Sequence, residues 1–172
     1  MTEETDNNET IERTEIAFLA GISQDDQPVF ESLEVEIVNV QEELVRLSKS
    51  PLFVRNLAAG DVIKLINPAI GEYEIERRSG NLSIRVFRRQ GINAVADFLN
   101  PAIEKMGGSV DLQTEAALSY SIHFSIGFTL IEKLLDSCCE RFVDTVWYYG
   151  NVYDPKDGST PLLWWQEFTD LE

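Results

Sequence analysis

Residues 118–126, LSYSIHFSI, alternate strictly between large apolar and small polar side chains. Successive side chains of a β-strand point to opposite faces of the sheet, so this alternation predicts a strand with one apolar and one polar face. Burial of one large apolar side chain contributes roughly 1.5–3 kcal/mol to stability. We therefore expect a central strand whose buried row is Leu118, Tyr120, Ile122, Phe124 and Ile126.

Helical and strand patterns alternate on either side of this strand. Residues 91–106 carry an apolar stripe at three- and four-residue spacing, which predicts a helix that kinks or restarts at Asn100, before Pro101. A second helix is predicted to begin at Thr129, which would form a capping box with Glu132. With further strands from residue 82, at 109–113 and at 142–150, the order is β-α-β-β-α-β, that of a ferredoxin-like unit.

The first half of the chain is predicted to form a small antiparallel sheet. In ESLEVEIVNV, the apolar residues Leu33, Val35 and Ile37 occupy alternate positions of a half-buried strand. Gly60-Asp61 is predicted to be a bend in this sheet, with Leu52, Phe53 and Leu57 packed beneath it. The stretch GEYEIERRSGNLSIRVFRR, residues 71–89, reads as a hairpin shared by the two halves of the chain.

The predicted fold class is α+β, an N-terminal barrel-like antiparallel sheet joined to a C-terminal ferredoxin-like unit. The acidic and polar residues 1–13 are expected to be a disordered arm. A β subdomain is predicted for residues 14–81 and the ferredoxin-like subdomain for residues 82–153. Residues 154–172 would be a loop and an aromatic, acidic tail.

Charge and composition exclude several classes of function. The net charge of −16 repels phosphates, so neither nucleic acid nor an anionic membrane is an expected partner. The chain has no apolar run of about 18 residues and its first residues are acidic, which predicts a cytoplasmic protein. Cys138 and Cys139 are adjacent, and they are expected to stay reduced. With one histidine in the chain, we predict no zinc site, no other metal and no cofactor.

Four blocks of the sequence resemble a known family. PVFESLEVEIV, SPLFVRNLAAGDVIKL, SGNLSIRVF and VWYYGNVYD occur in the order found in a bacterial family catalogued as domain of unknown function 4265, over residues 14–153. Glu34 stands where the family tends to have an aromatic residue. The resemblance implies a common fold and a small bacterial cytoplasmic protein, and it suggests a setting near toxin and immunity systems, where some members of the family occur. It implies no catalytic residues.

The polar face of the central strand is the first candidate site. In a ferredoxin-like sheet the first and third strands are neighbours, so an arginine, a histidine and several hydroxyls would share one face. Such a patch could bind an anion or a small carboxylate through charge-assisted hydrogen bonds. It could equally be a solvated face or the seam against the N-terminal sheet. The ligand-binding candidates are Arg85, Phe87, Ser119, Ser121 and His123, with Trp147 at the edge.

A catalytic role is not expected for this patch, because no acid is placed to orient a Ser/His pair. One basic island lies nearby, consisting of Arg77, Arg78, Arg85, Arg88 and Arg89. Nucleic-acid binding would be one interpretation of this island. Ion pairing with the acidic N-terminal strands explains it more simply.

The acidic strand and the aromatic tail are the second candidate site. Glu34 and Glu36 would attract a basic partner, and Trp164 and Trp165 would mark a protein contact if they are exposed. Folded back, the same aromatic residues would close the core. The first functional hypothesis is a non-enzymatic interaction module, an acidic adaptor or immunity-type inhibitor that covers a basic site on a partner protein. The alternatives are a regulatory domain for a small anion or carboxylate and, more remotely, an enzyme of undetermined type.

Overall fold

The computed structural model describes residues 11–169, which form an α+β fold with two antiparallel sheets. The predicted α+β class is therefore confirmed. Of the predicted disordered arm, residues 1–10 lie outside the described residues, and the first strand begins at Arg13. Residues 170–172 of the predicted tail also lie outside them.

The first sheet is a meander in which each strand pairs with the next one along the chain. Its strands are β1 (Arg13–Ile22), β2 (Pro28–Asn39), β3 (Leu44–Leu47), β4 (Val62–Asn67) and β5 (Glu72–Arg77). Alternate apolar side chains gather on one face, as the period of two predicts. The buried residues of this core are Phe18, Leu33, Val35, Val45, Leu47, Val54, Leu57 and Ile63.

This sheet is open, and the barrel-like closure expected from the sequence is wrong. Among the described strands, β1 pairs only with β2 and β5 only with β4. A short 3₁₀ helix, Pro68–Ile70, and the following Gly71 lie against β1 instead. A Cβ added to Gly71 would be 2.8 Å from the amide nitrogen of Leu19, so this turn packs directly against the backbone of β1.

The second sheet has the strand order β7-β8-β6-β9, and all its neighbours are antiparallel. Its strands are β6 (Asn81–Arg88), β7 (Ser109–Gln113), β8 (Ala117–His123) and β9 (Thr145–Tyr149). Helix α1 (Ile92–Lys105) connects β6 to β7, and α2 (Phe128–Arg141) connects β8 to β9. In the described part of the chain, none of the helices is long and apolar enough to cross a membrane.

The main core lies between this sheet and the two helices. The predicted row of Leu118, Tyr120 and Ile122 is buried on β8, and Leu82, Ile84 and Val86 form the matching row on β6. Each helix contributes the apolar stripe expected from its periodicity. The stripes are Ile92, Val95, Ala96, Leu99 and Ile103 on α1, and Ile131, Leu135 and Cys138 on α2.

The hairpin predicted at residues 71–89 is wrong. β5 pairs with β4, whereas β6 pairs with β8 and β9, so residues 78–80 carry the chain from the first sheet to the second. Gly80 has a φ of +92°, and a Cβ there would lie 2.5 Å from Nε2 of His123. This crossing therefore requires glycine. Two alternating runs flanking a turn look the same whether the strands pair with each other or enter different sheets.

Three local predictions also differ from the structure. β8 ends at His123, and the predicted last residues of the strand form a 3₁₀ turn in which the His123 ring accepts a hydrogen bond from the Ser125 amide. Helix α1 continues through Pro101 without a restart, since the carbonyl that this proline cannot pair belongs to the exposed residue Asp97 and can bind water. Helix α2 begins one residue before Thr129 and has no side-chain cap.

The C-terminal segment folds back onto the core. Trp164 is only 6% exposed, and its indole nitrogen donates to the carbonyl of Asn151 at 2.8 Å. The guanidinium of Arg78 lies 5.4 Å from the centre of the Trp164 ring. Of the two interpretations of the aromatic tail, the structure favours core closure for Trp164, while Trp165 is half-buried beside it.

Trp164→Ala should therefore lower the free energy of unfolding by about 3–5 kcal/mol, because it removes a large buried side chain and leaves a cavity. Urea denaturation followed by circular dichroism measures this change. Leu130→Ala, at an exposed apolar position on α2, is the matched control and should change stability by less than about 0.5 kcal/mol. Equal effects of the two variants would contradict the proposed packing of the tail.

Candidate functional site

Most of the predicted polar patch is buried. Ser83, Arg85, Ser119 and Ser121 share the sheet face opposite the helices, as the alternation predicts, but each is 6% exposed or less. Residues 50–58, here called the seam segment, cover this face. The seam segment is part of SPLFVRNLAAGDVIKL, so the stretch that most clearly carries the family resemblance also lies over the predicted site.

Serine hydroxyls connect the seam segment to β8. Ser119 donates to the carbonyl oxygen of Ser50 at 2.8 Å, and the hydroxyls of Ser50 and Ser121 lie 2.6 Å apart. Asp111 on β7 accepts hydrogen bonds from the Ser50 amide and from the Ser121 hydroxyl. These groups bind each other, which corresponds to the seam that the sequence offered as an alternative.

Glu31 and Arg85 hold the middle of the seam segment from opposite sides. The Glu31 carboxylate, on β2, accepts the amide N–H groups of Leu52, Phe53 and Val54 at 2.8–2.9 Å. The Arg85 guanidinium, on β6, donates to the carbonyl of Phe53 at 2.8 Å and to that of Val54. The same short peptide stretch therefore joins a carboxylate of the first sheet to a guanidinium of the second.

The Gly60-Asp61 pair anchors the end of the seam segment. The Asp61 carboxylate is fully buried and accepts hydrogen bonds from the amides of Ala58 and Ser79 and from the Ser79 hydroxyl. Burial raises its pKa above the ordinary value, although these hydrogen bonds oppose the shift. Since Ser79 lies at the crossing between the sheets, Gly60-Asp61 is a junction as well as the predicted bend. Of the residues predicted to pack beneath it, Leu52 and Leu57 are buried but Phe53 is exposed.

The remaining predicted ligand residues lie apart from one another. His123 is half-buried at the end of β8, with its Nδ1 2.8 Å from the Ser125 hydroxyl. Trp147 pairs with Val86, so it faces the helices, and its indole nitrogen donates to Asp136 on α2. The structure therefore does not bring Trp147 onto the face of Arg85. Tyr148, one residue later, is the β9 residue opposite Arg85.

A cavity of about 570 Å³ opens at the edge of this face. Arg85 and Phe87 line it, together with residues that the sequence analysis missed, namely Phe53, Arg55, Tyr148 and Tyr153. Tyr148 could have been found from strand register, because residues directly opposite on antiparallel strands share a face. No sequence signal places Arg55 there, since its position depends on contacts of the seam segment with distant residues.

The acidic candidates lie on the first sheet. Glu36 is half-buried between Arg13 and Arg46, with N–O distances of 3.5 and 3.3 Å. Glu34 is also half-buried on β2. These two pairs are the salt bridges formed among the described residues, and neither includes an arginine of the basic island. The predicted ion pairing of that island with the acidic strands is therefore not formed. Arg78, Arg85 and Arg88 instead donate to backbone carbonyls.

Four apolar side chains are exposed where the β1–β2 ribbon ends. Leu19 and Phe30 are cross-strand partners, Ile22 lies on their face nearer the turn, and Val29, next to Phe30 on β2, points to the opposite face of the ribbon. We call these four residues the ribbon end. Among the described strands, residues 28–32 of β2 pair only with β1, so the ribbon end extends beyond β3.

The described residues include no group of three or more metal-binding side chains, and the two cysteines are free thiols. Burial raises the pKa of the Cys138 thiol to about 11 and also raises that of Cys139. Both thiols are therefore protonated near neutral pH, which makes them poor nucleophiles.

Glu31→Gln should destabilise the protein by about 1.5–3 kcal/mol, because an amide has one accepting oxygen where the carboxylate binds three N–H groups through two oxygens. Urea denaturation measures the loss, and limited proteolysis should show faster cleavage within the seam segment. Glu34→Gln, on the same strand, is the control. Equal stability of the Glu31 variant and the wild type would contradict the role given to this carboxylate.

Asp61→Asn should change how stability depends on pH. The folded-state pKa of Asp61 lies above its ordinary value of 3.8, so above pH 3.8 the folded wild type holds this proton more tightly than the unfolded chain does. Its stability therefore falls as pH rises and the proton is lost. Asparagine does not titrate, so the wild type should lose stability relative to the variant as pH rises above the ordinary aspartate pKa of 3.8. Denaturation at a series of pH values measures this difference. A difference that stays constant with pH would refute the assignment.

Comparison with known proteins places the chain in a family. The family model described as "Domain of unknown function (DUF4265)" matches residues 31–143. A crystal structure described as that of a hypothetical protein from Neisseria gonorrhoeae is similar, with a TM-score of 0.59 and 16% identity over 82% of this chain and 94% of that one. At this identity the likeness concerns the fold alone. No curated protein matches the sequence. By the family match, the chain belongs to the DUF4265 family.

Proposed function

We propose that this chain is a non-enzymatic protein-interaction module that docks a basic partner through the ribbon end. The observation that carries the proposal is that four apolar side chains at one end of the ribbon, Leu19, Ile22, Val29 and Phe30, are exposed, Ile22 to 73% and Phe30 to 44%. Exposed apolar side chains gathered at one edge of a fold are typical of protein contact sites. An adaptor or an immunity-type inhibitor would use such a surface.

Charge supports a basic partner. Asp25 and Asp26 are exposed in the turn that joins β1 to β2, and Glu15 is exposed on β1. None of these three carboxylates forms a salt bridge with a described residue. Apolar side chains on a ribbon whose turn carries acidic residues complement a surface of apolar residues flanked by lysine or arginine, and the net charge of −16 would steer the encounter.

This surface differs in part from the one expected from the sequence. Glu34 lies on β2 opposite Glu15, along the ribbon from the ribbon end. Glu36 is engaged by two arginines, and Trp164 is buried, so the proposal gives neither of them a docking role. The ring centres of Trp165 and Trp164 lie 5.5 Å apart. Trp165 therefore belongs to the packed C-terminal segment and is not part of the ribbon end.

Two further inferences, about fold type and cellular location, accompany this proposal. We infer that β6 to β9 with α1 and α2 form a ferredoxin-like unit, which the element order and the antiparallel strand order β7-β8-β6-β9 support. We also propose a cytoplasmic bacterial protein with neither nucleic acid nor membrane as a partner. The acidic charge supports that proposal, because it repels both kinds of anionic surface.

The double variant Val29→Ser, Phe30→Ser tests the docking proposal. The immobilised full-length protein should retain a host protein at low salt and release it at high salt, since screening weakens charge attraction. The purified partner should bind the variant at least about tenfold more weakly than the wild type, because buried apolar anchors carry most interface energy.

Val143→Ser, at an apolar position that is also exposed but lies before β9, is the matched control and should leave binding unchanged. Circular dichroism checks that each variant is folded. Retention of no host protein at either salt would overturn the proposal, and so would equal binding of the partner to the wild type and the double variant.

A further inference from the structure

The cavity at the edge of the seam is built by both sheets. Ala20 of β1 contributes one side, the seam segment contributes Leu52, Phe53 and Arg55, and β6 contributes Arg85 and Phe87. The end of β9 and the following loop, residues 148–158, complete its wall. Its volume of about 570 Å³ lies within the range of roughly 300–1,000 Å³ found for small-molecule sites.

Aromatic rings form one wall of this cavity. Phe53 and Phe87 are stacked, with ring centres 6.0 Å apart and an angle of 29° between their planes. Tyr148 continues the row, 6.2 Å from Phe87. Phe53 is 52% exposed and Tyr148 is 57% exposed, so this aromatic surface is left open in the folded chain. Exposed rings beside a cavity offer a flat apolar surface on which another ring can stack.

Two guanidinium groups supply positive charge at the same place. Arg85 is fixed by the carbonyls of Phe53 and Val54, and its Nε is buried against Gly150 with no partner among the described residues. Arg55 is exposed, and the one hydrogen bond that its guanidinium makes to a described residue is a 3.4 Å contact with the carbonyl of Pro155. Neither forms a salt bridge with a described residue.

The acidic groups near the cavity leave Arg55 free to bind an anion. Glu31 is occupied by three amides of the seam segment. Asp154 lines the cavity, and one of its oxygens accepts the amide N–H of Lys156 at 2.9 Å. Burial lowers the pKa of Arg85 to about 10; the charge of Glu31 opposes this shift and the neighbouring charge of Arg55 adds to it, so the two cations are close enough to interact. A bound anion would relieve this repulsion.

The geometry points to a binding site for a small monocarboxylate that carries a flat aromatic or apolar group. The carboxylate would accept hydrogen bonds from the Arg55 guanidinium, and the ring would lie on Phe53, Phe87 and Tyr148. Arg85 acts as a fixed positive charge at the base of the site. Two residues of the polar patch expected from the sequence, Arg85 and Phe87, belong to this site. Ser119 and Ser121 of that patch do not, because the seam encloses them.

A monocarboxylate fits this site better than a phosphate dianion. Arginine binds both groups well, but Asp154 and the overall charge of −16 repel a dianion more strongly than a monoanion. A neutral amide of the same shape would lack the charge-assisted hydrogen bonds to Arg55. Charge and shape together therefore define the ligand class.

Isothermal titration of the full-length protein with 2-naphthoate tests the inference, with 2-naphthamide and 2-naphthyl phosphate as comparison ligands. The carboxylate should bind saturably and at least about tenfold more tightly than the amide, since a charge-assisted hydrogen bond is about twice as strong as a neutral one. It should also bind more tightly than the phosphate, since Asp154 and the net charge repel a dianion more strongly. Arg55→Gln and Tyr148→Ser should each weaken 2-naphthoate binding by about tenfold or more.

Arg77→Gln is the matched control, because Arg77 is an exposed arginine on β5 that does not line the cavity. It should leave 2-naphthoate affinity unchanged. Absence of saturable 2-naphthoate binding would overturn the inference, and so would binding that survives Arg55→Gln or tighter binding of the phosphate. The docking test and the cavity test can be told apart, since neither Val29 nor Phe30, the two positions changed in the docking variant, lines the cavity.

Discussion

The two sheets depend on one buried cation, the guanidinium of Arg85. Removal of a guanidinium from water costs several kcal/mol unless its donors are paired. Here two of its nitrogens donate to carbonyls of the seam segment, while the Glu31 carboxylate accepts three N–H groups of the same peptide stretch. Opposite charges from different sheets thus satisfy both sides of one backbone segment. Any account of the packing between the sheets has to include this polar link beside the apolar cores.

The seam decides which surfaces are left for other molecules. Because residues 50–58 cover the polar face of β6 and β8, the serines there bind the seam segment and Asp111. The face stays open only at its edge, where the Phe53, Phe87 and Tyr148 rings border the cavity. In the first sheet, the ribbon end extends past β3 with no described strand beside it. Both proposed sites lie beside the middle of the seam segment, since Arg55 lines the cavity and also lies next to Leu19 and Ile22 of the ribbon end.

Local periodicity was sufficient for the C-terminal half of the fold. The alternation on β8 and the stripes on both helices predicted the buried rows, and the β-α-β-β-α-β order predicted that β6 and β8 are neighbours. The same reasoning failed at the hairpin of residues 71–89, because alternation specifies a strand but not its partner. It also misplaced Trp147, since a shift of one residue in the pairing register reverses the face of every side chain. Glu31, Ser50 and Arg55 were missed because their partners lie far away in sequence.

The sequence by itself determined the α+β class, the apolar rows that form the main core and the presence of Arg85 on a polar face. It also carried the family resemblance and predicted the bend at Gly60-Asp61. Only the tertiary structure showed that Asp61 is a buried acceptor for Ser79 and that the seam segment covers the polar face. The physical reason is that periodicity reports which side of an element is apolar, whereas pairing partners and buried hydrogen bonds depend on contacts between residues distant in sequence.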